Sequence, residues 1–516
     1  MAVAIAPALI AIGVGVATAP ILAQVIVIAV GLGISMLAQT LFSSKPSQPK
    51  PADGQVNIKQ AAGPRIRHYG RVKTGGTIVF ANTSGGALGR VFAMGSGEID
   101  AVEEHWLDDN LLTLSGSAVT SAPYAPLGAS KAFIEFGLGT DAGTFYSALA
   151  ATYPTLWTGA HLGKGIPSAF LVMHQVPSED MGDIWPNYGN TLYRQVLRGA
   201  KVPAVSGGAL TAPSWSDNAA RIVLDYLTHA DGLKLDPSWI TNAAADWETA
   251  IAVCYEDVGG EARYRIWNSY RFDERPADVL ARFLAACDGS LFPTPNRGLS
   301  LKVGKWVTPT FTIDSNAILG FTEFGRGRDI LSTANTIRAR YTSPDHDYLE
   351  TDADPWVDAA DVADRGEFTT DVDLFCAPSH GQARRLLKLA AARANPRWVG
   401  SLLCNLRALP VMGERFVFVN LPELGINETF EVLGVELTII EGSILHGLRV
   451  RVASLAAAAY DWDVLRADEL GTPPAVPIEI VPGPKAPREE PETEPAEPLA
   501  HHHRARAAAA RRMAAD

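Results

Sequence analysis

Residues 218–303 read NAARIVLDYLTHADGLKLDPSWITNAAADWETAIAVCYEDVGGEARYRIWNSYRFDERPADVLARFLAACDGSLFPTPNRGLSLKV, and their periodicity sets the fold class. Ser216 and Asp217 can cap a first helix, in which Ile222, Val223, Tyr226 and Leu227 share one face. Gly232 stands where a C′ glycine belongs. A second helix carries Trp247, Ile251, Cys254 and Tyr255. Tyr264, Ile266, Tyr270 and Phe272 follow at strand spacing. Pro276 suits the first turn of a third helix, with Val279, Leu280, Phe283, Leu284 and Cys287 on one face, and Gly289 ends it. Leu291 and Phe292, the turn Pro295-Asn296-Arg297-Gly298, and Leu299, Leu301 and Val303 predict a hairpin. The expectation is a small α+β module. Each helix has one apolar stripe, so each needs a partner surface.

The chain upstream of this stretch is strand-rich. Tyr69-Gly70-Arg71-Val72 leads through Gly75-Gly76 to Ile78-Val79-Phe80, and Gly97-Glu98-Ile99-Asp100 runs on to Leu107-Asp108-Asp109. Downstream, residues 335–341 alternate as a strand. Residues 381–395 predict a basic amphipathic helix: Ala383, Leu386, Leu387, Ala390 and Ala391 on one face, Arg384, Arg385, Lys388 and Arg393 opposite. Further strands follow as far as residue 453.

This ordered set resembles the tail-tip hub (tip attachment, or host specificity) family of lambda-like long-tailed bacteriophages. The residues that carry the resemblance are Ala220-Arg221-Ile222-Val223-Leu224-Asp225-Tyr226-Leu227-Thr228, Gly232-Leu233-Lys234-Leu235-Asp236 and Arg275-Pro276-Ala277-Asp278-Val279-Leu280 continuing to Asp288-Gly289. The two upstream strand motifs, residues 335–341 and Gly381-Gln382-Ala383-Arg384-Arg385 add to it, so it spans roughly residues 57–455. The resemblance implies an α+β, β-rich multi-domain baseplate-hub fold, with β-barrel-like tube domains and smaller α/β domains. It implies a structural virion protein rather than an enzyme, at the distal end of a siphovirus tail. Such a hub, a ring of three, closes the tail tube and opens for DNA ejection, and the DNA passes without specific binding. Its expected partners are its own copies, the distal tail protein ring, the tape measure protein and a tail fibre or receptor-binding protein docked on the C-terminal tail.

The domain boundaries follow composition. Residues 1–44 contain no charged side chain; the first is Lys45. Leu22, Val25, Ile26, Val27, Ile28, Val30, Leu32, Ile34, Met36, Leu37, Leu41 and Phe42 make the best apolar span, expected to be helical. The segment exceeds the roughly 20 residues that one spanning helix needs, and Pro7, Pro20 and several glycines break it. It reads as a membrane anchor, as a plug on an oligomer axis, or as a segment stored in an assembly and released into a host membrane. Residues 45–56 are a Pro-rich linker, 57–215 N-terminal β-rich hub domains, 216–305 the central α+β module, and 306–455 a C-terminal β-rich domain with one helix. Residues 456–516 are a Pro/Glu-rich linker and a basic Ala/Arg tail.

Composition narrows the chemistry. The 516 residues are 47% hydrophobic and 19% charged, with net charge −12, which argues against a general nucleic-acid coat. Cys254, Cys287, Cys376 and Cys404 are far apart, unlike the paired spacing of zinc or iron–sulfur sites. No nucleophile elbow, HExxH or phosphate loop is present. Asp345, Asp347, Asp352, Asp354, Asp358, Asp361 and Asp364 form the densest carboxylate run; a solvated loop is expected there in preference to a Ca²⁺ site, since the EF-hand glycine is missing. His68, His174, His229 and His446 fall in apolar or strand contexts and are expected to be structural. No catalytic residue, metal or cofactor is expected. The rival expectation is a membrane-anchored cell-envelope protein or enzyme with a large soluble domain.

Overall fold

The computed structural model describes residues 49–59, 63–327, 333–439 and 446–476, and its elements belong to the unit Met1–Ala475. The apolar span from Leu22 to Phe42 lies outside the described residues. Among those described, no helix is long and apolar enough to cross a membrane.

The N-terminal part is two facing antiparallel sheets. Its strands are β1 (Ile66–Tyr69), β2 (Arg71–Thr74), β3 (Thr77–Ser84), β4 (Ala87–Ala93), β5 (Ile99–Leu107), β6 (Ala132–Leu138), β7 (Pro167–His174) and β8 (Tyr193–Val202). One sheet runs β3-β4-β7-β6. In the other, β8 pairs with both β5 and β2. Alternation along β7 explains the layering. Ala169, Leu171 and Met173 enter the core between the sheets with Phe92, Leu107, Ile134 and Tyr193. Phe170 and Val172 point the other way, into a second cluster with Tyr146, Leu149 and Tyr153 around helix Ser147–Thr152. Phe92 and Tyr193 meet across the layers at 5.1 Å between ring centroids.

The central module contains α1 (Ala219–Thr228), α2 (Ala244–Tyr255), β9 (Asn268–Arg271), α3 (Pro276–Ala286) and the hairpin β10 (Ser290–Pro293) and β11 (Leu299–Lys302). Trp247 is wholly buried and donates its indole N–H to Leu299 O at 2.7 Å, which ties α2 to the hairpin. Beyond it, β12 (Thr312–Asp314) and β13 (Ile318–Arg326) begin a C-terminal sheet. The chain then returns to the central module as β14 (Thr336–Ser343), β15 (Thr369–Leu374) and α4 (His380–Ala394), and goes back to finish the sheet as β16 (Trp398–Cys404), β17 (Phe416–Leu421), β18 (Ile426–Ile439) and β19 (His446–Ser454). Ile337, Ala339, Leu374, Ala383, Leu386, Leu387 and Ala390 share one core with α1, α2 and α3. Part of the partner surface that those helical stripes need is therefore supplied by segments beyond residue 335, on the far side of the first two strands of another sheet.

The C-terminal sheet has the order β12-β17-β18-β19-β16-β13. Its two outer strands are joined by residues 315–317 alone. At about 3.5 Å of reach per residue, so short a link brings the sheet's edges together at that end. The sheet therefore curls into a half-barrel, and Ile313, Leu402, Val417, Phe430 and Val450 fill it.

Local details differ from the sequence reading in three places. Asn218, rather than Ser216 or Asp217, caps α1, accepting from Arg221 N–H at 3.2 Å. Ser216 instead accepts from Asn218 N–H at 3.1 Å, and Asp217 accepts from the Trp267 indole at 3.0 Å. Gly232 lies beyond the C-cap His229, where a Cβ would stand 2.1 Å from Tyr226 O; close backbone approach explains the glycine. Of the expected strand from Tyr264 to Phe272, only Asn268–Arg271 forms a ladder, against β1, and Arg265 makes a single antiparallel bridge to Asn218.

Candidate functional site: buried ionic junctions

Charged side chains, among them buried arginines of the basic side of α4 and Asp347 of the carboxylate run, join the modules. Asp288 follows the C-cap of α3, and its carboxylate is 1% exposed. It accepts from Arg393 of α4 at 2.9 and 3.1 Å, from Arg415 at 2.5 Å and from Tyr460 O–H at 3.1 Å. Glu431 of β18 accepts from Arg393 at 2.8 and 2.9 Å. Two guanidiniums thus balance two carboxylates where the central module meets the barrel. Burial opposes ionisation of Asp288, but Arg393 and Arg415 beside it hold its carboxyl below its usual range. Phe416 meets Trp306 at a tilt, 4.7 Å between ring centroids, and Tyr460 edge-on at 5.6 Å, so an aromatic group flanks the cluster.

Gln382 shows why the Gly-Gln-Ala-x-Arg motif has its composition. Its amide is fully buried. It donates to Arg265 O at 2.9 Å and Ala286 O at 2.8 Å, and accepts from Arg265 N–H at 3.1 Å. A Cβ on Gly381 would stand 2.5 Å from Glu261 Oε1, the oxygen that accepts from Arg385 at 2.8 Å. Arg384 donates to the carbonyls of Asp354, Pro355 and Glu469 at 2.9, 2.8 and 3.1 Å, and lies over the Trp356 ring. Arg384, Arg385 and Arg393 are 3–5% exposed, so the cationic side of α4 faces other segments of the chain and not water.

A third junction seats the N-terminal sheets. The turn at Asp347 and Tyr348 has positive φ at both residues, 57° and 59°. That geometry pushes Asp347 towards Lys73 and Arg194, both buried. Gln55 in the segment Pro51–Gln55 donates to Asp347 O at 2.7 Å and accepts from Arg194 at 3.2 Å. Lys73 also stands 3.5 Å from the Trp106 ring centroid, and burial lowers its pKa. A fourth junction pairs Arg67 of β1 with Asp225 of α1 at 2.9 Å, with Tyr69 donating to the same carboxylate at 2.6 Å.

The carboxylate run is dispersed into separate tasks. Asp347 pins the N-terminal sheets, Asp354 accepts from Thr472 N–H at 3.1 Å, Asp358 caps a short helix, and Asp361 pairs with Arg365. Among the described residues no three His, Cys, Asp or Glu side chains form a metal-binding group. His68 lies between Ser269 Oγ at 2.6 Å and Met94 O at 2.7 Å, and burial takes its pKa down to about 4. His229 is half-buried, His174 is exposed, and the His446 side chain lies outside the described residues. The four cysteines are buried free thiols, and burial pushes Cys254 and Cys376 up to about 12. The arrangement is suited to holding modules in register. Its buried acids are already engaged by cations.

No protein-family model matches the sequence, and neither does any curated protein sequence. Among solved structures the chain is similar to a chain in the virion of a native gene transfer agent particle, with a TM-score of 0.54 and 15% identity over 84% of this chain and 94% of the other. It also matches the tail protein from Neisseria meningitidis MC58 (TM-score 0.29, 10% identity, covering 76% and 96%) and a 43 kDa tail protein of prophage MuSo2 from Shewanella oneidensis (TM-score 0.27, 9% identity, covering 77% and 99%). The chain shares the fold of the gene transfer agent chain: β-rich, with curled sheets beside an α+β centre. Its structural neighbours are phage tail and virion proteins.

Proposed function

We propose that this chain is a structural virion protein, the tail-tip or baseplate hub of a long-tailed phage or phage-like particle, working as a homotrimer at the distal end of the tail and without catalysis. The observation that carries the reading is the fold shared with a gene transfer agent virion chain over 84% of the sequence. The motifs that resemble the hub family agree with it, and their physical roles are the junctions described above. A body fastened by buried ion pairs fits a part that bears mechanical load. A net charge of −12 suits a wall past which DNA slides without sticking. In this reading the hub meets the distal tail ring and the tape measure protein, and a fibre or receptor-binding protein docks on the C-terminal tail. Residues 1–44 plug the axis and enter the host envelope on ejection.

The test is an antibody to residues 471–516 viewed by electron microscopy on particles from the source culture. Label at the distal end of tails is the expected outcome. Label on cell membranes, with bare particles, would refute the hub reading and favour an anchored envelope protein. Deleting residues 1–44 is expected to leave particles that assemble and fail to eject DNA; normal infectivity would remove the role given to that segment.

A further inference from the structure

The residues after the barrel run as a strap over α4. Leu455 N–H donates to Thr429 O at 3.1 Å at one end, and Ala475 O lies 3.0 Å from the His346 ring at the other. Between them Tyr460 enters the ionic cluster. Of the 15 residues 461–475, Glu469 alone is buried. By contrast, nine of the ten residues of α1 are buried. The strap therefore has almost no apolar hold. Its fastenings are polar: Lys388 to Glu469 at 2.7 Å, Arg384 to Glu469 O at 3.1 Å and to Asp468 O, Lys388 to Asp461 O, and Thr472 N–H to Asp354 at 3.1 Å. The charges are complementary. Residues 461–475 carry Asp461, Asp463, Asp468 and Glu469 against Arg466, which is 4 − 1, or three net negative charges. They lie on the face of α4 that presents Arg384, Arg385 and Lys388.

We propose that residues 461–475 are a releasable strap, held by charge on the cationic face of α4, and that the site beneath takes an acidic peptide segment in its place. Lifting the strap returns buried cations to water, and their rehydration offsets part of the hydrogen bonding that is broken. Burial already pulls Arg384, which donates to two strap carbonyls, below the usual arginine value, so it gains from rehydration. The tail beyond Ala475 continues directly from the strap. A pull on the tail therefore meets Ala475 and Thr472 first, then Glu469, and the Tyr460 anchor last. A partner holding the tail thus has a lever on the junction between barrel and centre.

The experiment uses the isolated full chain, so its outcome is independent of any role in a virion. The native thiols are buried, which leaves introduced cysteines open to selective spin labelling. Leu465→Cys and Arg407→Cys, both at exposed positions, report the distance between strap and barrel. In low salt one narrow distance is expected. At about 0.5 M salt, where charge interactions are screened within a few ångströms, a second, longer and broader population is expected. Glu469→Ala should enlarge it, and so should an excess of a synthetic peptide of residues 461–475. A single narrow distance in all four conditions overturns the proposal. A second population that appears with salt but ignores the peptide overturns the acidic-segment site.

Discussion

Replacing Asp288 by alanine should cost the chain about 4 kcal/mol, because it strands two buried arginines. The carboxylate is 1% exposed, Arg393 and Arg415 are each 3% exposed at the side chain, and no solvent is at hand to replace it. In the native cluster two cations face Asp288 and Glu431; in the variant both face Glu431, from which Arg415 is 3.5 Å away. Removing one partner from a buried pair typically costs about 3–5 kcal/mol. The loss of the Tyr460 hydrogen bond adds about 1 kcal/mol and partial relaxation subtracts a comparable amount. The assay is equilibrium unfolding of the full chain, followed by tryptophan fluorescence, since Trp306 flanks the cluster. The double variant Asp288→Leu with Arg415→Met keeps one cation against one anion, and should recover at least half of the loss. Destabilisation under about 1 kcal/mol for Asp288→Ala, or a double variant as unstable as the sum of the singles, would overturn this account of the cluster.

Two further outcomes follow from the same geometry. His68 and His105 are buried and neutral, each with its pKa down to about 4 from 6.5. Below pH 6.5 the unfolded chain takes up protons that the native chain refuses until about pH 4. Their stabilising contribution is thus complete above about pH 7 and falls through that window, by about 3 kcal/mol for each at pH 4. Melting temperature against pH should show the decline, and His68→Gln should reduce its slope by one proton's worth; an unchanged slope would show that His68 is not buried neutral. Gln382→Leu should destabilise by about 3 kcal/mol in urea unfolding, because it leaves Arg265 N–H, Arg265 O and Ala286 O without their partner. A neutral effect would mean that those backbone groups find other partners.

The elements of the centre were legible because each is a local signal. Pro276 at the first turn, the apolar spacing of α1 and α3, and the turn Pro295-Asn296-Arg297-Gly298 act through neighbours a few residues away. The N-cap was misplaced by one or two residues because Ser216, Asp217 and Asn218 all suit the position. Trp267 and Tyr255 decide among them, by occupying Asp217 and Ser216. The alternation of residues 335–341 announced a strand but could not say that it belongs to the centre and not to the barrel that surrounds it in sequence.

Residue order alone established most of the helices and strands of the centre, the need of each of its helices for a cover, and the run of motifs that resembles tail-tip hubs. Periodicity, capping and turn chemistry are short-range, so they are written along the chain. That the basic side of α4 is interior was settled by tertiary packing. Helical spacing placed Arg384, Arg385, Lys388 and Arg393 opposite the apolar stripe, and an isolated amphipathic helix would give that side to water. Here Glu261, Asp288, Glu431 and Glu469 arrive from distant segments and supply the opposite charge. Whether a cation lies in water or at a junction depends on what the folded chain brings to it, and that is a property of three-dimensional proximity, to which spacing along the sequence is blind.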